Sequence, residues 1–229
     1  MPRSDLRAAL TVVPFQALSR DSTFADAAST EVIRTLSGLE TWFSVTSMTA
    51  IKYLPDDLRR ARYTRKVDYV LHGTFGMEQT KLRLCVQLND AASGRILWSN
   101  RFDHPENRLP ALQQSALSRI IEVVPATIYR RELDRLMLVP IDVQTTYDLA
   151  IRAFAMTMRP IRGRFAEACE LLKLAGERRD GGRQALALVR SCWHLMAISQ
   201  GWTDNPDVEI GAAAAAIEEA NFDDPAARA

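Results

Sequence analysis

From Lys81 to Leu88 apolar and polar residues alternate without a break. Leu82, Leu84, Val86 and Leu88 fall on one side, and Lys81, Arg83, Cys85 and Gln87 on the other. Successive side chains of a strand point to opposite faces, so this pattern predicts a strand with one buried and one wet face. A similar run lies on each side of it. Tyr69 to Phe75 is apolar with β-branched and aromatic members, and Ile96, Trp98 and Phe102 share a face at period two. Met77 to Thr80 is read as the first turn. Asn89, Asp90, Ser93 and Gly94 form the second, with Gly94 free to take positive φ. The segment therefore predicts an antiparallel three-strand meander. Trp98 and Phe102 are read as core residues, since large aromatics dominate cores.

Upstream, Ala8 to Phe15 predicts a buried strand ended by Pro14. Ser19, Asp21 and Ser22 offer N-cap oxygens. A helix is expected from Thr23 to Leu39, with Phe24, Ala27, Ala28, Val32 and Leu36 on one face. Trp42 to Thr46 reads as a short strand, Ser47 or Thr49 as the start of a helical turn, and Pro55 to Lys66 as another helix. Arg59, Arg60, Arg62 and Arg65 on that helix read as a solvated face. The order β-α-β-α followed by a meander predicts an α/β sandwich with a mixed sheet. Arg108 to Leu138 is a long amphipathic stretch with a stripe of Leu109, Leu112, Ala116, Ile120 and Val124. Pro125 inside it is expected to kink or split the helix. The expected organisation is an α/β domain over 1–138, a linker over 139–143 that could act as a hinge, and a helical domain over 144–229.

The helical part shows four stripes. They are Tyr147, Ile151, Phe154 and Met158; Phe165, Ala168, Cys169, Leu172 and Ala175; Leu186, Val189, Trp193 and Met196; and Ile210, Ala213, Ala214 and Ile217. The expected loops contain Pro160 to Gly163, Gly181-Gly182, and Gly201 to Pro206. GRFAEACELLKLA places Gly163, Phe165, Ala168 and Ala175 at the spacing of a tetratricopeptide (TPR) repeat. A second copy keeps Ala213 and Ala220 and closes on Asp224-Pro225, where the first copy has Asp180-Gly181-Gly182. The two copies are offset by 45 residues, against a TPR period of about 34, which implies an insertion near Trp202 to Val208. Two repeats do not cover each other's apolar faces, so the chain is expected to be part of a longer protein.

Three segments carry a family resemblance: VVPFQALSRD (Val12 to Asp21), FADAASTEVIRTLS (Phe24 to Ser37) and YVLHGTF…LRLCVQLNDAASGRILWSNRFD (Tyr69 to Asp103). Together they resemble the TolB amino-terminal-like domain that precedes TPR repeats in bacterial transcriptional regulators and class III adenylate cyclases. The likeness runs from about Leu10 to Pro225. Two departures stand out: the loop after Asp21 is short, and Ala27-Ala28 replace a usual Gly-Leu pair. The resemblance implies a fold of α/β sandwich followed by TPR-like hairpins. It also implies a sensory or scaffolding segment whose output domain lies elsewhere.

Residue chemistry alone points to no catalytic centre. The three cysteines, Cys85, Cys169 and Cys192, form no CxxC pair or disulfide framework, which suits a reducing cytoplasm. His72, His104 and His194 show no zinc spacing, and Cys192 and His194 point apart on a helix. Asp56-Asp57 and Asp223-Asp224 are sequence neighbours, whereas acid–base pairs must converge across a cleft. The expectation is thus no enzyme activity, no cofactor and no metal. With a net charge of +1, no overall field recruits nucleic acid or anionic lipid. No secretory signal or membrane-spanning run is visible. Tyr147, Arg152, Arg190, His194 and Trp202 are candidates to line a concave partner-binding face. The partner classes left open are a protein, the parent's own output domain, a small-molecule effector and a second copy of the chain. The resulting expectation is a regulatory segment of a transcriptional regulator. The alternatives are a regulatory region of an adenylate or guanylate cyclase and a stand-alone adaptor.

Overall fold

The computed structural model describes residues 8–18, 23–38, 43–48, 67–78, 80–158, 160–178 and 180–222, the last four without their side chains. The caps at 19–22, the helix over 55–66 with its arginines, Thr49, Asp223-Asp224 and the closing Pro225 lie outside them. The chain divides into two compact units, Ala8–Arg130 and, from Arg131 onward, a helical one.

The first unit is built on a six-stranded mixed sheet. Its strands are β1 (Ala8–Val12), β2 (Gln16–Ala17), β3 (Phe43–Ser47), β4 (Tyr69–Glu78), β5 (Lys81–Asp90) and β6 (Ile96–Pro105). The order is β3-β1-β4-β5-β6, with β2 also on β4. β1 runs parallel to both β3 and β4, while β4, β5 and β6 form the expected antiparallel meander. Pro14 interrupts the first strand, since it has no N–H for the ladder. The chain then resumes on the same partner at Gln16.

Leu82, Leu84, Val86 and Leu88 are buried, and the alternate residues of β5 are not. The first turn is tighter than expected, because β4 and β5 stay paired out to Glu78 and Lys81. In the second, Gly94 has φ 70°, and Asp90 Oδ1 accepts the Ala92 and Ser93 backbone N–H groups at 3.1 and 2.9 Å. Gly73 is required by a close approach, since a Cβ there would lie 2.7 Å from the Cys85 carbonyl oxygen.

One expectation for β6 fails. Trp98 pairs with Leu88 but Ile96 pairs with Asn89, leaving Leu97 as an extra residue. This bulge turns Ile96 to solvent while Leu97 and Trp98 pack on the core.

Two helices cover the Leu82–Leu88 face: α1 (Thr23–Ser37) and α2 (Leu109–Leu136). On α1 the buried residues are Phe24, Ala25, Ala28, Ser29, Val32 and Leu36. Ala27 is exposed; Ala25 and Ser29 take the inner positions instead. Phe24 meets Phe75 with ring centroids 4.4 Å apart. On α2, Leu112, Ala116, Ile120, Val124 and Ile128 are all at most 2% exposed. The helix is not split at Pro125. An internal proline costs about 3 kcal/mol. The apolar stripe is continuous on both sides, and the burial of Val124 and Ile128 offsets that cost. The boundary between the units falls within α2, at Arg130/Arg131.

The described part of the second unit is helical: the end of α2, a 3-10 turn at Ile141–Val143, then α3 (Thr146–Thr157), α4 (Arg162–Glu177), α5 (Arg183–Ser199) and α6 (Pro206–Phe222). α3 starts at a capping box in which Thr145 and Asp148 satisfy each other's backbone N–H. Asp148 also accepts Arg135 Nη2 at 2.7 Å.

Three of the four expected stripes need correction. Met158 (61%) and Cys169 are exposed. On α6, Ala213 and Ala216 are buried while Ile210 (53%), Ala214 and Ile217 (49%) face outward. The small alanines bring α6 close to α5, near enough for the Ser191 hydroxyl to reach the Ala213 carbonyl at 3.1 Å. The 139–143 segment is tied down. Gln144 donates from Nε2 to the Leu136 and Val139 carbonyls at 3.2 and 2.8 Å. Arg178 Nη2 donates to Asp142 O at 2.7 Å. Movement at this turn therefore has to break those bonds.

Candidate functional site

α5 is the spine of the helical unit. Its sequence puts Leu186, Val189 and Trp193 inward, and Trp193 Nε1 donates to the Ala153 carbonyl at 3.0 Å. The same helix carries Arg183, Ala187, Arg190 and His194 at intervals of three and four, so they share a second face. Along it lies a small, open recess lined by Thr146, Ala175, Gly176, Arg178, Arg183, Leu186, Ala187, Arg190 and Ala216. Arg190 Nη2 donates to the Leu172 carbonyl at 3.2 Å. Its guanidinium crosses α4 at Gly176, where a Cβ would come within 2.3 Å of Nη2.

The five candidate residues do not form one site. Arg190 lines the recess. His194, one turn further on, is paired through Nδ1 with Glu209 Oε2 at 2.5 Å, joining α5 to α6. Trp202 packs against Phe165 with ring centroids 5.9 Å apart and planes tilted by 58°, and Phe165 against Trp193 at 5.7 Å and 54°. Tyr147 is 1% exposed and sits beneath Gly182, whose positive φ of 78° and contact with the Tyr147 backbone both favour glycine. Tyr147 therefore packs the interior and presents no surface. Arg152 is half-buried on α3. Spacing along the chain missed Arg178, Arg183 and Gly176. The only signal for them was the seven-residue interval between Arg183 and Arg190 just after a Gly-Gly pair.

The thiols nearby are poor nucleophiles. Burial pushes the Cys192 thiol above its ordinary pKa. Partial burial does the same at Cys169, reinforced by the negative charges of Glu209 and Glu170. Both remain protonated near neutrality. No group of three or more His, Cys, Asp or Glu side chains that could hold a metal ion occurs among the described residues. Among those residues, too, no helix is long and apolar enough to cross a membrane.

No protein-family profile matches the chain. It is 26% identical over 139 residues to "Putative adenylate cyclase 3" of Rhizobium meliloti (strain 1021), a match covering 58% of this chain and 24% of that protein. The chain thus spans about a quarter of the relative's length. Among solved structures, the PelC dodecamer from Paraburkholderia phytofirmans has a TM-score of 0.35 at 16% identity, covering 50% of this chain and 86% of that one. Lipoprotein GNA1162 from Neisseria meningitidis gives 0.35 at 19%, covering 51% and 97%. TolB from Acinetobacter baumannii gives 0.33 at 17%, covering 52% and 29%.

Proposed function

We propose that the chain is a non-enzymatic sensory or interaction segment of a bacterial cytoplasmic signalling protein. In this reading the helical unit, a TPR-like pair of hairpins, receives a partner or effector. The output domain of a transcriptional regulator reads the result. The observation that carries the reading is the recess along α5, an accessible concavity formed by residues far apart in sequence. A second reading, the regulatory region of an adenylate cyclase, is favoured by one observation: the similarity to the Rhizobium protein named for that activity. In both readings this chain binds and relays.

The test is capture from a bacterial lysate with the 229-residue chain and with an Arg183→Ala/Arg190→Ala double variant of verified fold. Proteins and small molecules retained by each are identified by mass. Species held by the wild type and lost from the variant are the expected result. Identical retention, or none, on both would overturn the reading.

A further inference from the structure

We infer that the recess between α4, α5 and α6 binds an oxyanion, a phosphate or carboxylate group carried by a small molecule. The inference deepens the reading of the helical unit as a receiver and rests on it. Three guanidiniums, Arg178, Arg183 and Arg190, line the recess, and its described lining contains no carboxylate. The planar fork of N–H donors on arginine matches oxyanion geometry. Ala175, Leu186, Ala187 and Ala216 supply an apolar floor, which strengthens charge-assisted bonds formed above it.

Arg178 Nε is buried and has no hydrogen-bond partner among the described residues. That N–H is closed to solvent, so an anion would meet Arg178 through its outer nitrogens, of which Nη2 already donates to the Asp142 carbonyl. Gly176 belongs to the same arrangement, because only a residue without a side chain leaves room for Arg190 to lie over α4. Arg183 and Arg190 also interact within the chain, so the anion joins an existing set of contacts. The site has an outlet too. Arg178 holds the Ile141 and Asp142 carbonyls, so occupancy of the recess acts on the guanidinium that fastens the 141–143 turn.

The experiment is calorimetric titration of the 229-residue chain at constant ionic strength, with inorganic phosphate in one arm and succinate in the other. It is repeated on Gly176→Ala and Arg183→Gln. Alanine suits a helical backbone better than glycine, so Gly176→Ala keeps or raises Tm while displacing Arg190. The expected result is saturable binding of at least one anion, weakened about tenfold in each variant. The tighter of the two identifies the group recognised. Absence of saturation by both anions overturns the inference, as does equal affinity in the wild type and Gly176→Ala. A partner that is captured in an arginine-dependent way while both anions fail would remove the oxyanion site and leave the interaction reading standing.

Discussion

A single hydroxyl, that of Ser29, joins α1 to the turn between β1 and β2. It accepts the Phe15 N–H and donates to the Ala25 carbonyl, both at 2.7 Å, in a site only 4% exposed. Ser29→Ala leaves the buried Phe15 N–H without an acceptor, and we expect a loss of about 1–3 kcal/mol, read as a lower denaturant midpoint with an unchanged slope. The thiols give a second prediction. Cys169 and Cys192 have folded pKa values raised above the ordinary one. The folded chain therefore holds those protons more tightly. Their contribution to stability is complete below the unfolded pKa, about 8.5, and is lost as pH rises through the higher folded value. The pH profile of iodoacetamide alkylation should accordingly have its midpoint above that of the urea-unfolded chain. A coincident midpoint would contradict the raised values.

At the scale of elements, legibility follows the contrast between faces. β5 was readable because each apolar residue is flanked by polar ones. α6 was not, because PDVEIGAAAAAIEEANF is apolar nearly all round, and no periodicity chooses between the alanine and isoleucine sides. The choice is made by α5, which admits only small residues. Ile96 was misplaced because a bulge inserts one residue into a period of two. The recess was hidden for a different reason: two separate segments, the end of α4 and the length of α5, supply its arginines, and Gly176 acquires meaning only once Arg190 lies across it. Pro125 makes the element scale testable. Pro125→Ala restores a backbone donor in a helix that already runs through the site, and should stabilise the chain by up to about 3 kcal/mol. A lower midpoint would show instead that local geometry around Pro125 is needed for packing.

On the scale of the whole molecule, α2 is shared. Leu112 to Ile128 belong to the core of the α/β unit, whereas Arg135 and Leu136 are bound to Asp148 and Gln144 of the helical one. Cooperative openings follow compact units more closely than helices. Native-state amide exchange should therefore divide α2 near Arg130, its first part exchanging with the sheet and its last turns with α3. Uniform protection along the helix would argue against two units. The sheet order carries a further consequence, for synthesis. β1 lies between β3 and β4, and Ala9 donates to the carboxylate of Asp68, 59 residues later. On a ribosome adding about 5–20 residues per second, β1 therefore waits some seconds for its inner neighbour. Throughout that interval Leu10 and Val12, both fully buried in the finished sheet, stand open to chaperones and to other nascent chains.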